Sequence, residues 1–117
     1  MYRIIVAGGR DFDDYQLLSK TLDEVLSPLE IHASIMSGGA RGADALGEKY
    51  ASEHNIPVDC FPANWRKHGR SAGFLRNKIM AANANALVAF WDGTSPGTKH
   101  MIDTARSRGL AVHLVNY

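Results

Sequence analysis

The residues best placed for chemistry in this chain of 117 residues are the eight from Ser37 to Asp44, Ser-Gly-Gly-Ala-Arg-Gly-Ala-Asp. They follow a short apolar run, His32 to Met36, and open a segment whose apolar residues recur at helical spacing. Ser37, Gly38, Gly39, Ala40 and Gly42 therefore fall where a strand turns into a helix. A helix start leaves backbone N–H groups unpartnered and carries partial positive charge, and glycine lets an anion approach the backbone, which is the chemistry of phosphate binding. A glycine-rich turn without a ligand accounts for the same residues. Two other stretches share the character, Gly8-Gly9-Arg10 after the nearly all-apolar run at 3–7 and Asp92-Gly93-Thr94-Ser95-Pro96-Gly97-Thr98 after the run at 86–91. None has the G-x-G-x-x-G spacing of a dinucleotide fingerprint, and no G-x-x-x-x-G-K-[ST] loop occurs.

The charged residues fit the same chemistry. Arg10 and Arg76 offer fixed, bidentate donors to a phosphate; the alternative is a surface ion pair with Asp11, Asp13 or Asp44. Asp44 and Asp92 suit ribose hydroxyls or helix capping, and capping explains Asp44 less well because it falls inside the first helical turn. Trp65 could stack on a base or pack as a lid on its own domain. The basic stretch Trp65 to Arg70, continuing to Arg76 and Lys78, reads as a phosphate funnel, a single-stranded DNA surface or a solvated loop. His100 has a side chain suited to proton transfer near neutral pH, although an exposed histidine in a first helical turn is the commoner case. The histidines lack metal-ligand spacing and the single cysteine, Cys60, cannot complete a zinc site, so no metal and no other cofactor is expected. Cys60 is expected to be a small buried residue on a strand.

The elements that must position these groups alternate along the chain. Arg3 to Ala7 reads as a parallel strand covered on both faces. Asp13 or Asp14 caps a helix bearing Leu18, Leu22, Val25 and Leu26, which stops before Pro28. Residues 32–36 form a second strand, followed by a helix with Ala43, Leu46, Gly47, Tyr50, Ala51 and His54 on one stripe. A short strand at 58–61 leads to an irregular stretch, Pro62 to Arg70. Ser71 caps a helix with Ala72, Leu75, Ile79 and Ala82 inward. Residues 86–91 are the best central strand, and a helix with Met101, Ile102 and Ala105 inward ends at Gly109 before a last strand at 111–115. Five strands joined through four helices predict an α/β fold, a Rossmann-like open parallel sheet of five strands with helices on both faces. In such a sheet all three glycine loops lie on the carboxyl edge, where ligands bind.

Composition restricts the classes of function. At 117 residues the chain is expected to be a single domain, residues 1–117, with no room for a separate substrate domain. Hydrophobic residues at 45% and charged residues at 21% are those of a globular protein, no apolar run has the length of a membrane helix, and no leader-like series opens the chain. No membrane association and a cytoplasmic location are expected. A formal net charge of +1 gives no global electrostatic reason to bind nucleic acid.

Four segments in order carry a resemblance. The loop Ser37 to Asp44 is similar to that of the DprA family of DNA-processing proteins, and the C-terminal half resembles the LOG family; both belong to the SLOG superfamily. Gly8-Gly9-Arg10-Asp11-Phe12, Pro62-Ala63-Asn64-Trp65 and Ala72-Gly73-Phe74-Leu75-Arg76-Asn77 resemble the YspA-like, YpsA-related branch, small bacterial and phage proteins. The resemblance implies a nucleotide-derived ligand such as an ADP-ribose or NAD-related molecule, and pairing into a homodimer. LOG enzymes cleave an N-glycosidic bond with an arginine, a P-G-G-x-G-T loop and a glutamate just after it. Arg76, beside Asn77, matches the arginine and Gly97-Thr98 the end of the loop, but Lys99, His100 and Met101 stand where the glutamate is expected. The sequence thus points to a binding or sensing protein ahead of a hydrolase. In the hydrolase Arg76 would hold phosphate and Asp44, Asp92 or His100 would move the proton; a DNA-binding module is the third reading.

Overall fold

β1 (Tyr2–Gly8) and β4 (Ala86–Trp91) lie side by side at the centre of the sheet, and their apolar composition follows from that position, since both faces of each strand are covered. The computed structural model describes residues 1–117. β2 (Ala33–Ser37) and β3 (Val58–Cys60) extend the sheet on one side and β5 (Ala111–Asn116) on the other, in the order β3-β2-β1-β4-β5 with every pair parallel. This is the Rossmann-like sheet expected from the alternation of strands and helices. The order in which strands are added reverses at the β1–β4 pair, and a crevice opens there beyond the carboxyl ends.

Alternate strand residues feed two cores. Ile4, Val6, Ile35, Val88 and Phe90 face α1 (Tyr15–Leu26) and α2 (Ala43–Glu53), packing on Leu18, Leu22, Tyr50 and Ala51. Ile5, Met36, Leu87 and Ala89 face α4 (Ala72–Ala82) and α5 (Pro96–Ser107), packing on Met80, Ala81, Met101 and Ile102. Asp14 caps α1, its carboxylate accepting from the Leu17 N–H at 3.0 Å. Gly47 lets α2 settle on β1, because a Cβ there would lie 2.8 Å from Val6 Cγ1.

Several local expectations are corrected. The stretch from Pro62 to Arg70 is not irregular: Asn64 caps a one-turn helix, α3 (Trp65–His68), and a 3₁₀ turn at Gly69–Ser71 leads into α4. Ser71 precedes α4 without a side-chain capping bond. On α4, Ala72 is buried as expected, but Leu75, Ile79 and Ala82 are exposed, and Asn77, Met80 and Ala81 are buried in their place. The buried face is a second apolar stripe, Met80 and Ala81 in the core with Asn77 beside them bonded to the Gly97 carbonyl of α5. His54 is also exposed, its ring stacked on Tyr50 at 3.8 Å. Cys60 is exposed because β3 is an edge strand, paired only to β2.

Candidate functional site

The crevice at the carboxyl edge is a cleft of about 710 Å³. The sheet delivers its walls: Gly8, Gly9, Arg10 and Asp11 follow β1, Gly38, Ala40 and Arg41 follow β2, and Asp92, Ser95, Pro96, Gly97 and Thr98 lie between β4 and the first turn of α5. Asp44 enters from α2. Trp65 and Arg70, together with Gly73, Phe74, Arg76 and Asn77 of α4, form the opposite side. Gly39 borders an adjoining hollow of about 460 Å³ that shares Arg10, Arg41, Trp65 and Arg76 with the main cleft.

Twelve of the residues expected from sequence are therefore brought to the main cleft: Gly8, Gly9, Arg10, Gly38, Ala40, Asp44, Trp65, Arg76, Asn77, Asp92, Gly97 and Thr98. Ser37, Gly42, Gly93, Thr94 and His100 do not line it. Ser37 acts from behind: its hydroxyl donates to Glu48 at 2.6 Å and accepts from the Gly39 N–H at 3.1 Å, which shapes the loop. Gly42 (φ 80°) is needed where two loops meet, since a Cβ would strike the backbone of Gly9 and Arg10. Arg41, Arg70 and Phe74 were not singled out from sequence. Arg41 stood inside the quoted loop and Arg70 inside the basic stretch, but only their convergence in space marks them.

The glycines divide by what surrounds them. At Gly9 a Cβ would run into the Tyr117 hydroxyl, which donates to Asp11 at 2.6 Å while its ring packs edge-on against Phe12. Gly9 thus serves the packing of the last residue on the first loop. At Gly97 nothing lies within 4 Å of a Cβ, and the backbone there has no positive φ. Neither packing nor conformation calls for glycine at Gly97, which leaves the cleft open at the start of α5.

Polar partners fix the remaining groups. Arg76 donates from Nε to Asn77 Oδ1 at 3.0 Å and from Nη1 to the Gly38 carbonyl at 2.6 Å, bracing the β2–α2 loop while its second amine group stays uncommitted. Asn77 donates to the Gly97 carbonyl at 3.3 Å. Asp92 accepts from the N–H groups of Thr94 and Ser95 and from the Ser95 hydroxyl, which hold its carboxyl down at about 2. His100 stacks on Phe74 at 4.4 Å, with Nδ1 3.2 Å from Asn77; burial, then Lys78, lowers its pKa. Asp44 is 5% exposed, and burial pushes its pKa up to about 6 against the lowering effect of the Ala40 N–H and of Arg76. The two ion pairs of the molecule, His54–Asp23 and Lys99–Asp103, involve no arginine, so the alternative pairing of Arg10 or Arg76 with a neighbouring aspartate is not made.

Fold and site together define a Rossmann-like α/β domain whose glycine loops and arginines gather at the switch point of the sheet. The model of the YAcAr family, described as the YspA, cpYpsA-related SLOG family, matches residues 2–68, and the chain belongs to this family. It is 31% identical over 118 residues to the Gene 61 protein of Mycobacterium phage D29, covering 96% of this chain and 94% of that protein. Its fold is similar to the X-ray structure of DNA processing protein A (DprA) from Streptococcus pneumoniae, with a TM-score of 0.74 over 97% of this chain at 18% identity. This chain spans 49% of that structure's length.

Proposed function

We propose that the chain acts as one domain that binds a nucleotide-derived ligand, a nucleoside phosphate or an ADP-ribose or NAD-related molecule, in the cleft at the carboxyl edge. One observation carries this reading: Arg10, Arg41, Arg70 and Arg76, none in an ion pair, converge with the amino ends of α2 and α5 on a single cleft. Guanidinium groups and helix starts both favour phosphate, and a volume of about 710 Å³ is the scale of a small-molecule site. Sensing or binding ranks ahead of catalysis, because Asp92 is engaged by its own loop and His100 lies off the cleft. Hydrolysis of a glycosidic or phosphoester bond is the second reading, and it is favoured by Asp44, whose carboxyl titrates at about 6, within range of proton transfer.

The membership in a SLOG family and the DprA-like fold are compatible with a nucleotide-related or a DNA-related role, and titration separates the two. Wild-type protein is mixed with AMP, ADP-ribose, NAD or a short single-stranded DNA, and the melting midpoint and heat of binding are followed at low and moderate salt, with product analysis of each nucleotide. A nucleotide site binds at moderate salt, whereas DNA held by Arg66, Lys67 and Arg70 loses affinity steeply as salt rises. Absence of any nucleotide effect, with DNA binding weakened by Arg76→Ala, would overturn the reading. A homodimer belongs to the same proposal, and the exposed apolar residues Leu75 and Ile79 on α4 offer a surface for it; the mass in solution by light scattering tests it.

A further inference from the structure

Three carboxylates border the cleft, and of these only Asp44 is buried. Asp11 accepts the Tyr117 hydroxyl, and Asp92 accepts three donors from its own turn. Asp44 differs. It is 95% buried by its 5% exposure, its Oδ2 accepts from the Ala40 N–H at 3.3 Å, the Gly38 N–H also lies against the carboxyl, and Oδ1 makes no hydrogen bond of good geometry. No cation lies within 4.0 Å of it, and Oδ1 is not sealed inside the protein, since the one buried side-chain atom without a partner is Ser34 Oγ. Arg76 lowers the Asp44 pKa from a distance but makes no ion pair with it, since its Nε and Nη1 are directed to Asn77 and to the Gly38 and Phe61 carbonyls.

An ionised carboxylate only accepts hydrogen bonds and repels the negative charge of a phosphate, so a neutral donor is a far better partner for Asp44 than a phosphate. The group must carry an O–H or N–H. Asp44 lies in the first turn of α2, the same helix start that faces the phosphate-binding loop. The unit bonded directly to a nucleotide's phosphate is its sugar, and the base edge stands a whole sugar further away. We propose that Asp44 is a specificity-determining residue that accepts a hydrogen bond from a ribose hydroxyl of the bound ligand, so that the site selects ribosyl ligands over their deoxy counterparts. This rests on the cleft being a nucleotide site. It also sets the site apart from a DNA surface, which offers no ribose diol.

The test is calorimetric titration of wild-type protein with AMP, 2′-deoxy-AMP and 3′-deoxy-AMP. At least one deoxy analogue is expected to bind about tenfold more weakly than AMP, the loss of one hydrogen bond to a charged group. Asp44→Asn, which keeps an acceptor but loses the charge, should reduce that ratio, and Asp44→Ala should bring it to about one; thermal melts confirm that each variant folds. If both deoxy analogues bind wild-type protein as tightly as AMP, or if Asp44→Ala retains the full ratio, the assignment to Asp44 is wrong while the cleft reading stands. If AMP and both analogues give no heat, the cleft reading fails and takes this one with it.

Discussion

Replacing Gly97 by aspartate should strengthen the fold and weaken the site, and the opposite signs make it a sharp test. Gly97 is the second residue of α5, where a Cβ would meet nothing within 4 Å and where φ suits any residue. Removing a glycine from a helix and placing a carboxylate in its first turn each stabilise by a few tenths of a kcal/mol to about 1 kcal/mol. A combined gain of about 0.5–1 kcal/mol raises Tm by about 2–5 °C for a chain of this size. A phosphate seated at that helix start would lie about 5 Å from the new carboxylate, and at an effective dielectric near 20 the repulsion is about 3 kcal/mol before screening. Affinity for AMP should therefore fall by about 30- to 100-fold. Differential scanning calorimetry without ligand gives the first quantity and titration calorimetry the second. Unchanged affinity in a variant with raised Tm would refute a ligand at the start of α5, and a lowered Tm would refute the open space inferred around Gly97.

Other perturbations follow from the packing and the charges. Burial raises Asp44 from its ordinary 3.8 to about 6, so the folded state holds that proton more tightly than the unfolded chain. The contribution to stability is complete below about pH 4 and is lost as pH rises through 6, leaving a cost of up to about 3 kcal/mol at pH 8. Asp44→Asn should consequently melt higher than wild type at pH 8, with the difference closing by pH 4. Gly47→Ala, a change that stabilises most helices, should destabilise this one by about 1–3 kcal/mol in urea unfolding, because the new methyl group meets Val6 Cγ1 at 2.8 Å. Tyr117→Phe removes the 2.6 Å bond to Asp11 and should lower stability by about 0.5–1 kcal/mol. It should also weaken AMP binding about two- to threefold by freeing the carboxylate next to Arg10; unaltered affinity would show that the last residue does not organise the first loop.

The order of strands and helices, the parallel sheet and the three glycine loops on one edge are set by local signals. Continuous apolar runs at 4–7 and 86–91 demand burial on both faces, Asp14 and Pro28 bound the first helix, and Gly109 (φ 75°) ends the last. Such signals act over a few residues and survive without knowledge of the partner. The family was legible for the same reason, because its motifs are contiguous segments.

Tertiary structure decided the rest. On α4 the apolar spacing of Leu75, Ile79 and Ala82 marks a face that turns out exposed, because Met80 and Ala81 on another face pack against Met101 and Ile102, with Asn77 and Arg76 bonded alongside. Asp44 and Asp92 look alike in sequence, yet one is buried and free to accept while the other is consumed by its own turn. Arg41 and Arg70 join the site because loops 29 residues apart in sequence meet over one edge. Backbone periodicity specifies which elements form, because it depends on neighbours in sequence; which polar group is left unpartnered at the cleft depends on neighbours in space, and only the packed chain determines those.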